Sequence, residues 1–98
     1  LNQSHQSLHV ELCDLRKVLA ESLQSLQPWL HEKQVTIEQS TVPALLEADA
    51  WQLRQVFENL LSNAIHFSPH AGTIGCAWQV FQHEILIEVW DEGSGLSE

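Results

Sequence analysis

Apolar residues recur along the chain with two different periods, and the switches between them mark its elements. From Asp14 to about Lys33, Leu15, Val18, Leu19, Leu23, Leu26 and Leu30 follow three- and four-residue spacing, which predicts an amphipathic helix with Asp14 as N-cap. Pro28 is expected to kink or loosen its last turn without ending it, since Trp29 and Leu30 carry the apolar face onward. A second helix is predicted from Asp49, with Gln52 completing a capping box and Leu53, Val56, Phe57, Leu60, Leu61, Ala64 and Ile65 as the buried stripe. Ser68-Pro69-His70 ends it. Alternating, β-branched Val35-Thr36-Ile37-Glu38 and the short Ala44-Leu45-Leu46-Glu47-Ala48 read as strands expected to pair like a hairpin. Thr73 to Gln82 and Glu84 to Asp91 read as two more, joined at Gln82-His83, with Ile85, Ile87 and Val89 on one face and Leu86, Glu88 and Trp90 on the other. Leu1 to Val10 is polar and aperiodic. The expected organisation is an arm or linker over residues 1–13 and one folded region over 14–98. The expected class is α+β, a two-layer sandwich of helices on one face of a mixed or antiparallel sheet.

Composition narrows the function. Ninety-eight residues with 44% hydrophobic content suit one small domain. Thirteen acids against four bases give a formal charge of −9, which argues against nucleic acid and requires a metal between this surface and an anionic nucleotide. Cys13 and Cys76 lack the spacing of a disulfide framework or zinc site, which fits a reducing cytoplasm. No apolar run reaches membrane-spanning length, so any anchor of a parent protein is expected outside these residues.

The chemistry concentrates in two stretches. Asn59 and Asn63 lie one turn apart on one helix face, so their amide oxygens can serve a shared Mg2+ or phosphate. With His66 they are expected on a polar flank beside the buried stripe, where a ligand wedged between helix and sheet would meet them. Asp91-Glu92-Gly93-Ser94-Gly95 closes the last strand; Trp90 and its apolar predecessors are expected to bury that strand, leaving the Asp91 carboxylate against a pocket to accept from an exocyclic amine. Either stretch alone has an ordinary explanation, a solvated or capping amide and a turn-capping aspartate; the pair at this separation points to a nucleotide site.

The order helix, two short strands, Asn-x-x-x-Asn-Ala helix, two strands and Asp-x-Gly-x-Gly resembles the ATP-binding domain of sensor histidine kinases, a Bergerat-type fold. Asp49 to Pro69 looks like the family's N box and Val89 to Leu96 like its first glycine box. The resemblance implies Asn63 as Mg2+ ligand, Asn59 beside metal and phosphates, and Asp91 reading the adenine amino group. It implies Gly93 and Gly95 as the close approach of backbone to base, with His66 and Phe67 where the family carries a lysine and an aromatic. A histidine offers phosphate a weaker, pH-dependent contact than lysine. Related gyrase, mismatch-repair and chaperone ATPases carry a glutamate base where this chain has Asn59, and an amide cannot take a proton from water. Glu58 is rotated about 100 degrees away and makes a poor substitute. Phosphoryl transfer to a protein side chain is therefore favoured over hydrolysis.

The family's lid, second glycine box and last strands are not found in this sequence, which leaves the triphosphate tail poorly held and implies that these residues alone are inactive. The resemblance implies a parent with a histidine-phosphotransfer domain and a response-regulator partner. His5, His9, His31, His70 and His83 lack the context of a phosphoacceptor and are expected in solvent. His66 and His70 share helical spacing, but Pro69 intervenes and no third zinc ligand is in sight. A second reading is a non-catalytic interaction module that binds nucleotide weakly or not at all; a third is a relative of the anti-sigma or protein-serine kinases, against which Asn59 speaks. An incomplete sheet invites pairing with a second copy, so a homodimer is expected.

Overall fold

The computed structural model describes residues 9–39, 42–82 and 84–91. Five strands and three helices follow in the order β1 (Val10–Asp14), α1 (Leu15–Ser25), α2 (Gln27–Lys33), β2 (Thr36–Gln39), β3 (Leu45–Asp49), α3 (Ala50–Phe67), β4 (Thr73–Val80) and β5 (Ile85–Asp91). The architecture is the expected α+β sandwich, helices over one face of a three-stranded mixed sheet in the order β2-β4-β5, with β1 and β3 forming a separate two-stranded ribbon.

Directly paired residues share a face of a sheet, so the register identifies which face the helices cover. Ile74, Cys76 and Trp78 of β4 pair with Asp91, Val89 and Ile87 of β5, and all three β4 residues are buried. Against them pack Leu15, Val18 and Leu19 of α1 and Leu53, Phe57, Leu61 and Ile65 of α3. The Phe57 and Trp78 rings meet edge to face, centroids 6.2 Å apart, joining the two layers at their centre. The Trp78 indole Nε1 donates to the Val42 carbonyl at 3.1 Å and so holds the approach to β3 against the sheet.

Both long helices start where the sequence places their caps. Asp14 accepts from the Arg16 amide at 3.0 Å, and Asp49 Oδ1 accepts from the Trp51 and Gln52 amides at 2.9 and 3.1 Å. Ser22, fully buried in α1, satisfies its hydroxyl by donating to the Val18 carbonyl at 2.9 Å.

Four expectations are corrected. Val10–Cys13, assigned to the arm, belong to β1, whose alternation is short and adjoins a polar stretch; residues 1–8 lie outside the described residues. The predicted hairpin of β2 with β3 does not form: β2 pairs in parallel with β4, and β3 pairs antiparallel with β1, the partner the sequence reading lacked. Pro28 divides the first helix rather than kinking it. Without an N–H it cannot continue the ladder, so Leu26 ends α1 and begins α2, with Pro28 in the first turn of the new helix. Trp29 then turns outward while Leu30 stays buried. Finally, Val56 and Leu60 sit at the margin of the α3 stripe and are exposed, unlike Leu53, Phe57, Leu61 and Ile65.

Candidate functional site at the C-terminal end of α3

The chain direction gathers the candidate residues at one end of the molecule. After α3 ends at Phe67, β4 runs back along the sheet, and β5, antiparallel to β4, returns to finish at Asp91. Asp91 pairs with Ile74, near the start of β4, so its strand ends beside the end of α3. The same register sets Asp91 on the helix-covered face, in line with Val89 and Ile87. The residue is half-buried, with Oδ2 withdrawn from solvent. Trp90 points the other way and is 42% exposed, so the expectation that Trp90 buries the strand is corrected: the partly covered side is built by Ile85, Ile87 and Val89.

Asn59, Asn63, His66 and Phe67 are all exposed on α3. At about 100 degrees per residue they spread around the side opposite Leu53, Phe57, Leu61 and Ile65. This corrects the expected flank beside the buried stripe: these side chains face away from that stripe, whereas Asp91 lies on the helix-covered side of the sheet. Asn59 stands about 6 Å further from the helix end than Asn63, by the rise of one turn. The Ser62 hydroxyl donates to the Asn59 backbone carbonyl at 3.2 Å. The His66 and Phe67 rings stand edge to face, centroids 5.0 Å apart. Gly93, Gly95, His5 and His83 lie outside the described residues.

Lys33, which the sequence reading passed over as a cation in the last turn of its own helix, belongs to this end. Its ammonium donates to the Ile65 and His66 carbonyls at 2.7 and 2.8 Å, and its own carbonyl accepts from the Ala71 amide at 2.8 Å. A cation there adds a donor to carbonyls at the helix end, of which that of Ile65 also accepts from the Ser68 amide, and offsets the negative end of the α3 dipole, which otherwise opposes an anionic ligand. Beside it a groove of about 540 Å3 opens between α2 and α3, lined by Leu26, Trp29, Lys33, Ser62, Ile65 and His66. Of the sequence-predicted site residues that are described, His66 alone borders it.

No group of three or more metal-ligating side chains exists among the described residues. Mg2+ in nucleotide sites needs no such group, because this ion keeps several waters and takes one or two protein oxygens together with phosphates. The exposed Asn63 amide is a hard oxygen donor of that kind. Both thiols are buried: burial pushes Cys76 up to about 11, and burial, then Glu11, raises Cys13. No helix among the described residues is long and apolar enough to cross a membrane.

Residues 48–98 match the family described as histidine kinase-, DNA gyrase B- and HSP90-like ATPases. Sporulation kinase B of Bacillus subtilis (strain 168) is 33% identical over 101 residues, covering 100% of this chain and 24% of that protein. The catalytic domain of histidine kinase ThkA superposes with a TM-score of 0.74 at 20% identity, over 86% of this chain and 59% of that one. ThkA has also been solved in complex with the response regulator protein TrrA. Full-length ShkA in complex with AMPPNP superposes with a TM-score of 0.70 at 25% identity, over 85% of this chain and 18% of that one. The chain thus spans about a quarter of the curated relative's length.

Proposed function

The chain belongs to the histidine kinase-, DNA gyrase B- and HSP90-like ATPase family, and we propose that it is the adenine-nucleotide-binding part of a sensor histidine kinase. The observation that carries this reading is the half-buried Asp91 carboxylate at the end of β5, on the helix-covered face and beside the end of the helix bearing Asn63. A carboxylate in that position accepts a hydrogen bond from the exocyclic amine of adenine, and its partial burial strengthens the discrimination. Asn63 holds Mg2+ against the phosphates, Asn59 lies beside them, and His66 and Phe67 flank the site. Gly93 and Gly95 let the following backbone approach the base. Mg2+, when bound, neutralises phosphate charge that the acidic surface of this chain would repel.

Asn59 cannot deprotonate water, which favours transfer of the γ-phosphoryl group to a histidine over hydrolysis. In the parent protein that histidine lies on a neighbouring phosphotransfer domain and passes the group to a response regulator, as the complex of ThkA with TrrA suggests by analogy. The domain works in the cytoplasm, where buried free thiols such as Cys13 and Cys76 persist.

Calorimetric titration with ADP in the presence of Mg2+ tests the reading. Wild-type binding that weakens at least tenfold in Asp91→Asn supports it; binding equal in the two proteins, or none at millimolar ADP, overturns it.

A further inference from the structure

The ribbon of β1 and β3 turns an unusual face to solvent. Its paired residues alternate between two sides. Glu11 pairs with Ala48 and Cys13 with Leu46 on the side where Cys13 is buried and Ala48 and Leu46 are half-buried. On the outward side Val10 pairs with Asp49, Leu12 with Glu47 and Asp14 with Leu45, a checkerboard of three apolar and three acidic residues. Val10, Leu12 and Leu45 are each more than 60% exposed. Isolated exposed apolar residues need no explanation, but these three adjoin two more. The β4–β5 turn, closed by the Phe81 amide donating to the Glu84 carbonyl at 2.7 Å, sets half-exposed Val80 and Phe81 alongside. Between ribbon and turn lies a groove of about 370 Å3, lined by Leu12, Leu45, Val80 and Phe81 and rimmed by exposed Glu47 and Glu84.

Among the described residues, no lysine, arginine or histidine lines this groove. Asp14 and Asp49 beside it are engaged as helix caps, whereas Glu47 and Glu84 cap nothing. An apolar floor between two carboxylates is complementary to aliphatic side chains flanked by lysine or arginine. It repels acidic partners, anionic lipid and nucleic acid. The groove lies on the face of the ribbon rather than along its edge, so a partner docks through side chains and not by adding a strand. We propose that this groove binds a basic amphipathic helical segment of a protein partner, on a surface built from elements other than α3 and the end of β5.

The test is fluorescence anisotropy with a labelled lysine/leucine peptide whose leucines follow i, i+3, i+4, i+7 spacing. A peptide of the same composition with that spacing scrambled serves as control. The proposal expects the amphipathic peptide to bind at least tenfold more tightly than the scrambled one. It expects Leu12→Ser and Glu47→Lys each to weaken binding at least tenfold, and Glu21→Lys, an equal charge change on exposed α1 surface, to leave it within twofold. Equal affinity for both peptides, or equal losses in Glu47→Lys and Glu21→Lys, would reduce the effect to general attraction by an acidic protein and overturn it. Binding of the chain to phosphatidylserine vesicles in place of the peptide overturns it as well. Far-ultraviolet circular dichroism of each variant separates lost binding from lost fold.

Discussion

The Lys33 ammonium lies 2.7 Å from the carbonyl oxygen of Ile65, so the end of α2 is pinned to the last turn of α3. The contact spans 32 residues of sequence and, with the bond to the His66 carbonyl, holds the helix end on which the candidate nucleotide site depends. Removing it takes a charged donor from both carbonyls, although that of Ile65 still accepts from the Ser68 amide at 3.2 Å. Lys33→Met should therefore cost about 1–2 kcal/mol of stability, the range for charged hydrogen bonds in a partly exposed setting. Loosening of the last turn should also weaken ADP binding. Thermal unfolding checks the first expectation and calorimetry the second; an unchanged melting temperature would show that the clasp contributes nothing.

Two residues hold left-handed backbone that glycine adopts at less cost: Gln34 at φ 56°, which ends α2, and Ala71 at φ 65°, in the turn after α3. Gln34→Gly and Ala71→Gly should each stabilise by roughly 0.5–1 kcal/mol, relief of left-handed strain partly offset by a more flexible unfolded chain. The neighbouring Gly72 behaves oppositely. A Cβ there would lie 2.5 Å from Ser68 Oγ and 3.0 Å from the Pro69 carbonyl oxygen, so Gly72→Ala should destabilise. Denaturant melts should place Gln34→Gly and Ala71→Gly above wild type and Gly72→Ala below it.

Gly75 and Trp90 form a cross-strand pair on the open face of the sheet, where the indole covers the glycine. A Cβ on Gly75 would collide with the ring. Gly75→Ala should push Trp90 aside and, through the peptide that joins it to Asp91, disturb the contact proposed there for adenine. Gly75→Ala alone should lower stability and ADP affinity together, and Trp90→Leu in the same chain should restore part of both. Failure of that rescue would place the damage elsewhere.

Asp49 titrates below its ordinary value of 3.8 because the His9 amide donates to it first of all, followed by the Gln52 amide. A carboxyl lowered in the folded state contributes stability that is complete above the unfolded value and is lost as pH falls through the folded one. Asp49→Ala should therefore be less stable than wild type at pH 7, with the gap narrowing below about pH 4. Paired melts across pH 2–7 measure it; a gap independent of pH would contradict a role for the charged form.

The helices, the central strands and the family were legible in the sequence because each rests on local spacing: leucines at helical intervals, capping Asp14 and Asp49, and Asn63 and Asp91 in their motifs. Pairing was not. Whether Thr36–Gln39 joins Leu45–Asp49 or Thr73–Val80 depends on contacts distant along the chain, and the strand that claims β3 begins in a stretch read as polar arm. The outward position of Asn63 and the reach of Lys33 across to α3 were hidden for the same reason, since a helical wheel fixes which residues share a face but not which neighbour that face meets. Trp90 misled because its large apolar side chain reads as core, whereas the glycine opposite gives it a partner on the open side.

The most direct test of the central claim is a map of backbone amide resonances in the isotopically labelled chain as Mg2+ and ADP are added together. Shifts are expected to concentrate at Asn63, His66, Phe67 and Asp91, with the surroundings of Leu12, Val80 and Phe81 unmoved. Shifts confined to Leu26, Trp29 and Lys33, or no shifts at saturating nucleotide, would contradict a nucleotide site built on Asp91 and the end of α3.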